Sequence, residues 1–247
     1  MNLKAKLNLI LKLIGLMLFA FIFVNERALI AEQTSRYEAQ ETTLVTYLKS
    51  LNETQQAISE ERQQLLQGAA LEIRKAIADR GSVDLIFVCT HNSRRSQLAQ
   101  IWAALAAEQF GLKSVCCFSC GTEATACNAR TIAALERAGL RFTKTGDEAN
   151  PVYHLATEDR SSNIDLFSKV FEHPSLPKNE FVAMMCCDHA DKNCPNIRGA
   201  SYRIPLWYVD PKVSDDRSDE AMVYDERCRQ IAAEMFLLMK LVGLDRS

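Results

Sequence analysis

The chain has 247 residues, of which 48% are hydrophobic and 24% charged, a balance typical of a globular protein and not of a disordered one. Its net charge of -2 excludes the strongly basic field of a nucleic-acid-binding domain, so we expect no nucleic-acid partner. The nine cysteines lack the short, regular spacing of a disulfide scaffold, and a chain of this length does not need one.

The N-terminal segment, residues 1–31, differs from the rest of the chain. Three lysines precede an uncharged apolar run at residues 13–24, which is shorter than the roughly 20 residues that span a bilayer. The pattern predicts a signal peptide or, counted over residues 7–24, a membrane anchor. An apolar helix docked on the domain is the alternative. We therefore expect an exported or membrane-anchored protein on the periplasmic side, not a cytoplasmic one.

A helical extension is predicted next, over residues 32–80. The second of its two helices begins at Ser59 and ends at Gly81, residue types that favour helix termini. The apolar positions that define one face of each helix are Tyr37, Leu44, Leu48, Leu51, Leu66, Ala70, Ile73 and Ile77. We expect this extension to pack on a main domain at residues 81–247.

The main domain alternates predicted strands and helices. Apolar strands are predicted at residues 83–88, 114–119 and 181–187, with helices after the first two and a long C-terminal helix. This alternation predicts an α/β domain with a largely parallel sheet. The second strand would bury Cys116 and Cys117 and leave Cys120 in a turn. The polar residues 151–178 give no clear element.

Cys89 stands where the first strand meets a helix that starts near Ser96. Ligands of open α/β sheets bind at the carboxyl ends of strands, where a helix N-terminus favours negative charge. Arg95 adds a full positive charge and can hold an oxyanion through two nitrogens. The context predicts that Cys89 is a nucleophilic thiolate. The alternative is a core thiol followed by a surface arginine.

The sequence "CTHNSRRSQ" resembles the anion-binding loop of two related families, the low-molecular-weight protein tyrosine phosphatases and the thioredoxin-coupled arsenate reductases. "FSCGTEA" is similar to their turn after the second strand, and "WYVDPK" supplies the Asp-Pro pair from which they draw a proton donor, here Asp210. The resemblance implies a three-layer sandwich with a four-stranded, mainly parallel sheet. It also implies an oxyanion-binding loop made of Thr90, His91, Asn92, Ser93, Arg94, Arg95 and Ser96.

Three positions depart from the pattern of these families. His91 replaces a glycine, so the backbone has less freedom to approach an anion. Arg94 stands where both families often carry a second cysteine. Lys212 and Val213 replace the aromatic pair that follows Asp-Pro in many of the phosphatases.

The segment "MMCCDHADKNCP" resembles the arsenate reductases alone, which need three cysteines. The resemblance implies a relay in which Cys89 attacks arsenate, Cys187 then attacks Cys89, and Cys194 receives the disulfide. An external thioredoxin-like protein would reduce the final pair, with no bound cofactor. Strand alternation favours Cys187 over Cys186 for this role. A metal site formed by Cys187, His189 and Cys194 fits no common zinc spacing, so no metal is expected.

The leading interpretation is therefore an arsenate reductase. The second is a low-molecular-weight protein tyrosine phosphatase that hydrolyses phosphomonoesters through a phosphocysteine at Cys89. A non-catalytic oxyanion-binding module is the third, and the complete set of Cys89, Arg95 and Asp210 argues against it. Export would favour the phosphatase unless a dedicated reductant is present, because an oxidising compartment keeps a dithiol pair oxidised.

Overall fold

The computed structural model describes residues 42–156, 164–193 and 197–244, together with positions 35 and 39. The candidate anchor at residues 7–24 and the third candidate cysteine, Cys194, lie outside these residues. A search of the described ranges finds no helix with the length and apolar character needed to cross a bilayer.

Six α-helices, seven strands and one 3-10 helix are described in this part of the chain. In chain order they are α1 (residues 42–56), α2 (Glu60–Arg80), β1 (Val83–Cys89), α3 (Arg95–Gln109), β2 (Val115–Gly121), α4 (Ala129–Arg137), β3 (Phe142–Thr145), β4 (Val152–Leu155), β5 (Asp165–Leu166), β6 (Phe181–Met185), α5 (Asp188–Asn193), β7 (Ala200–Pro205), the 3-10 helix (Pro211–Ser214) and α6 (Glu220–Gly243).

The main sheet has four parallel strands in the order β2-β1-β6-β7. Strand β1 lies between β2 and β6, and nearly all of its residues are buried, as expected for an apolar run in the middle of a parallel sheet. The predicted α/β fold with a four-stranded sheet and an N-terminal helical region is confirmed. Because the strands are parallel, β1 and β6 bring Cys89 and Cys187 to the same edge of the sheet.

Helix α2 begins and ends where the sequence predicts. The Ser59 side chain accepts a hydrogen bond from the backbone N–H of Arg62, and Gly81 closes the helix with a φ of 79°. That left-handed conformation favours glycine, which has no Cβ to clash. The helix buries Leu66 and Ile73 in the common core, so the extension packs on the α/β domain.

Helix α6 joins the extension to the domain. Many of its residues are buried, and among them Cys228 accepts a hydrogen bond from Trp102 Nε1 of α3 at 3.3 Å. Tyr47 of α1 stacks on Trp102 with 5.3 Å between ring centroids. Arg74 of α2 donates to the carbonyl of Leu241 at 2.7 Å.

A second sheet of three antiparallel strands, β3-β4-β5, was not predicted. Strands β4 and β5 lie within residues 151–178, the stretch that the sequence left without elements, and β3 precedes it. The chain that leaves β5 runs beside the end of β2, where Gly121 N–H donates to the carbonyl of Lys169 at 2.8 Å. This segment supports the loop that follows β1.

Candidate functional site

The loop between β1 and α3, residues 90–94, is held by Asn92 at its centre. Asn92 has a φ of 44° and is fully buried. Its Nδ2 donates to Ser96 Oγ at 2.8 Å, and its Oδ1 accepts from the backbone N–H of Lys169 at 3.0 Å. Asparagine tolerates the left-handed conformation better than most residues, and these two bonds fix the bend.

Ser96 connects this bend to the candidate nucleophile. Its Oγ lies 3.0 Å from Cys89 Sγ. Because Asn92 donates to the Ser96 oxygen, the hydroxyl proton is free to point at the sulfur. A donor directed at sulfur stabilises the thiolate more than the thiol. Arg94 is the N-cap residue of α3, and its side chain makes no capping hydrogen bond. The first backbone N–H groups of this 15-residue helix, at the positive end of its dipole, therefore face the loop without a side-chain cap.

Arg95 is held from the opposite side by the segment that follows β7. Its Nη1 donates to the carbonyl of Tyr208 at 3.1 Å, and its Nη2 donates to Asp210 Oδ2 at 2.7 Å. Its Nε is buried and has no hydrogen-bond partner among the described residues. A buried guanidinium donor left unpaired is costly unless a ligand accepts from it, so an oxyanion is the expected partner.

Asp210 is the N-cap of the 3-10 helix, where its Oδ1 accepts from the Lys212 N–H at 3.1 Å. In this state its other oxygen is paired with Arg95. An arriving oxyanion would compete with Asp210 for the guanidinium and release the carboxyl for proton transfer. The structure thus brings the predicted cysteine, arginine and acid to one place.

Arg94 is paired with residues of α6 and of the segment that precedes it. Its Nε donates to Tyr224 Oη at 2.7 Å and its Nη2 to Asp215 at 2.9 Å. Burial raises the pKa of Tyr224 to about 12, so the phenol stays protonated and donates to Asp215. The Arg94 side chain therefore anchors the loop to α6 and to Asp215. Its Nε is also 4.0 Å from Asp210 Oδ1.

Gly121 at the end of β2 has to be a glycine for a spatial reason. A β-carbon there would lie 2.6 Å from the carbonyl oxygen of Thr90 and 2.7 Å from the amide nitrogen of Asn92. Both atoms belong to the anion-binding loop, and backbone atoms cannot shift without changing its curve. The turn that the sequence singled out thus shapes the loop directly.

The remaining loop side chains have separate roles. Ser93 Oγ donates to the carbonyl of Ala126 at 2.6 Å, which ties the loop to the segment before α4. His91 is at the rim, with its Nε2 3.4 Å from a carboxylate oxygen of the exposed Glu123. Thr90 faces β6 and α5, where its Oγ1 lies 3.5 Å from Cys187 Sγ and 3.3 Å from His189 Nδ1.

Cys187 is fully buried beside the loop. Its carbonyl accepts from the Asp191 N–H at 3.1 Å and its Sγ accepts from the Ala190 N–H at 3.3 Å, so this residue caps the start of α5. A sulfur that accepts a backbone N–H is again better suited to a thiolate than to a thiol. Its neighbour Cys186 instead hydrogen-bonds the carbonyl of Met184 within the sheet.

Helix α5 is held on its outer side by Asp191. Arg203 Nε donates to Asp191 Oδ1 at 2.7 Å, and Trp207 Nε1 donates to Asp191 Oδ2 at 3.0 Å. The Arg203 guanidinium also contacts the Asp191 carbonyl. These contacts fix the six-residue helix that leads from Cys187 to Cys194.

The strand, loop and helices around Cys89 are similar to those of a known protein family. Residues 84–152 match the model of the low molecular weight phosphotyrosine protein phosphatase family. This part of the α/β domain is similar to that family. The matched family is enzymatic, and its resemblance to the chain implies a small oxyanion or its ester as the substrate class.

The similar proteins include an arsenate reductase and phosphatases. An arsenate reductase of Staphylococcus aureus (strain bovine RF122 / ET3-1) is 29% identical over 153 residues, which cover 62% of this chain and 94% of the relative. A low molecular weight phosphotyrosine phosphatase of Vibrio cholerae O395 is similar in structure at 15% identity, with a TM-score of 0.43, over 64% of this chain and 95% of that one. A low molecular weight protein tyrosine phosphatase of Bacillus subtilis is similar in structure at 16% identity, with a TM-score of 0.41. The match covers 67% of this chain and 100% of that one.

The sequence alone did not predict the residues that hold the loop after β1 and Arg95 in place. Lys169 is 5% exposed, and burial lowers its pKa to about 8. Ser168 Oγ donates to the His91 carbonyl at 2.7 Å. Tyr208 holds Arg95 through its carbonyl, and only its place two residues before Asp210 could have drawn attention to it. No pattern marks the other two, because they lie in the stretch without predicted elements.

Proposed function

We propose that this protein reduces arsenate to arsenite through a thiol relay that passes from Cys89 to Cys187 and then to Cys194. The observation that carries the proposal is the position of Cys187. It is buried, it accepts a backbone N–H at its sulfur, and it lies 3.5 Å from the hydroxyl of Thr90, the residue that follows the candidate nucleophile. A phosphatase has no chemical use for a second thiol at that point.

The first step forms a bond between Cys89 and arsenic. The Cys89 thiolate attacks arsenate while Arg95 and the loop amides hold its oxygens, and Asp210 protonates the departing oxygen, which leaves as water. The unpaired Nε of Arg95 supports this assignment, because it gives the guanidinium a donor that Asp210 and Tyr208 do not occupy.

The second step reduces arsenic. The Cys187 thiolate attacks Cys89 Sγ, the electron pair of the sulfur–arsenic bond passes to arsenic, and arsenite leaves. The two thiols together lose two electrons and become a disulfide, which balances the change from arsenic(V) to arsenic(III). The Cys194 thiolate then attacks Cys187 and restores Cys89 for another cycle.

The last exchange requires α5 to change shape. Helix α5, Asp188–Asn193, rises about 7.5 Å from its first to its last α-carbon, whereas the α-carbons of a disulfide are about 4.4–6.8 Å apart. Part of α5 must therefore unwind before Cys187 and Cys194 can bond. The contacts of Asp191 with Arg203 and Trp207 are the ones that this movement would break. An external dithiol protein of the thioredoxin type would then reduce the exposed pair.

The second candidate function is hydrolysis of a phosphomonoester at the same loop. The complete set of Cys89, Arg95 and Asp210 is sufficient for a phosphocysteine and its hydrolysis, and arsenate and phosphate have the same shape and charge. The S. aureus relative and the position of Cys187 favour the reductase.

A paired assay of the full-length chain tests the proposal. We expect arsenate-dependent oxidation of thioredoxin, followed through thioredoxin reductase and NADPH, together with slower hydrolysis of an aryl phosphate. Hydrolysis without any arsenate-dependent thioredoxin oxidation would establish the phosphatase instead. If the protein showed neither activity, the non-catalytic oxyanion-binding module would be the remaining interpretation.

A further inference from the structure

The extension, which precedes the residues matched to the family, reaches the active site through three side chains. Arg62 of α2 donates from Nε and Nη2 to Glu234 Oε2 of α6, at 2.9 and 2.7 Å. The same carboxylate oxygen accepts from Tyr208 Oη at 2.8 Å. The Arg62 guanidinium also lies over the Tyr208 ring, 4.9 Å from its centroid.

Tyr208 continues this chain of contacts into the site. Its carbonyl accepts from Arg95 Nη1, and its N–H donates to the carbonyl of Cys186 at 3.0 Å. Two residues later Asp210 binds the other end of the Arg95 guanidinium. The position of the Tyr208 backbone therefore decides where Arg95 is held.

We propose that Arg62, Glu234 and Tyr208 are positioning residues through which the helical extension sets the orientation of Arg95 for oxyanion binding. The inference rests on the proposed role of Arg95 and holds for arsenate and for a phosphate ester alike. It gives the extension a function at the active site in addition to its packing.

The energetics of the three groups support a fixed arrangement. Glu234 is 2% exposed, and a buried carboxylate is retained only when it is paired and hydrogen-bonded. Burial raises the pKa of Tyr208 well above its ordinary value, so its hydroxyl always donates to Glu234. Burial opposes the charge of Arg62, but Tyr208 and Glu234 outweigh it and raise its pKa. The Arg62 guanidinium and the Tyr208 hydroxyl thus both donate to the Glu234 carboxylate, which fixes the three side chains relative to one another.

Three variants of the full-length chain test the inference. Tyr208→Phe removes the hydroxyl and keeps the ring. The double variant Arg62→Gln/Glu234→Gln removes both charges of the ion pair, so that neither is left facing the other's neutral replacement. Arg74→Gln is the matched control, because Arg74 also joins α2 to α6, at the carbonyl of Leu241.

The main measurement is the protection of Cys89 from iodoacetate by inorganic phosphate, which reports anion binding and needs no turnover. We expect Tyr208→Phe and the double variant to weaken phosphate binding, and to lower kcat/KM for an aryl phosphate, by about tenfold, the effect of one net hydrogen bond. Arg74→Gln should remain within about twofold of the wild type, while its free energy of unfolding falls as much as that of Tyr208→Phe.

Three results would overturn the inference. The first is phosphate binding at wild-type strength in folded Tyr208→Phe protein. The second is an equal loss in Arg74→Gln, which would mean that the extension acts by packing alone. The third is a wild-type Cys89 that phosphate does not protect. The reductase proposal can fail separately, because a protein that never reduces arsenate would still show the expected pattern of phosphate binding.

Discussion

Replacing Cys187 with serine is expected to reduce arsenate turnover to less than about 1% of the wild-type rate, because the proposed relay needs the Cys187 thiolate to attack Cys89. Hydrolysis of an aryl phosphate should stay within about threefold of wild type, since that reaction needs only one cysteine. The serine hydroxyl can still accept from the Ala190 N–H and cap α5, so the fold should survive.

Cys186→Ser is the matched control for this variant. Cys186 is equally buried and adjacent in sequence, and its sulfur donates to the Met184 carbonyl, which a serine hydroxyl can also use. We expect both activities to persist in it. Arsenate turnover that survives Cys187→Ser would remove Cys187 from the relay, whereas equal losses in both variants would indicate damage to the sheet.

Replacing Cys89 with serine is expected to lower both activities by about 10⁴-fold or more, because loss of a nucleophile leaves only binding and electrostatic contributions. The Ser96 hydroxyl, 3.0 Å from the sulfur, can bond the new hydroxyl, so phosphate binding should persist. Steady-state rates and phosphate affinity measured on the same protein separate chemistry from binding.

Cys116→Ser is the control here, because Cys116 is an exposed thiol on the neighbouring strand. It should behave as wild type in both assays. Retention of either activity by Cys89→Ser above about 1% would point to a different nucleophile and would end both enzymatic interpretations.

The elements that the sequence predicts well are those with strong local signals. The caps at Ser59 and Gly81 give the ends of α2, and the apolar run of β1 gives a buried central strand. The candidate nucleophile and Arg95 follow from the same reasoning, because a strand end and a helix start fix the loop between them. Asp210 was found only through the resemblance, and the structure places it 2.7 Å from Arg95.

Long-range packing accounts for what the sequence left open or misjudged. The prediction that Cys116 is a core residue is wrong, because β2 is an edge strand and exposes it. Cys120 is fully buried within β2 and not in a turn, since that strand continues to Gly121. Strand β3 was missed because its residues are mostly exposed and polar, with no hydrophobic period.

The buried link through Arg62, Glu234 and Tyr208 could not be predicted for a similar reason. Its members are more than 25 residues apart at their nearest, and only folding brings them together. Each alone is an ordinary charged or aromatic residue on a helix or strand end. A single sequence contains no sign that they meet.

A disulfide-trapping measurement tests the central claim most directly. In Cys194→Ser protein the relay should stop after arsenite leaves, with Cys89 bonded to Cys187. One equivalent of arsenate added to the reduced variant, followed by acid quench and peptide mass spectrometry, should give that disulfide and one equivalent of arsenite. Unchanged arsenate with both thiols still free would contradict the relay.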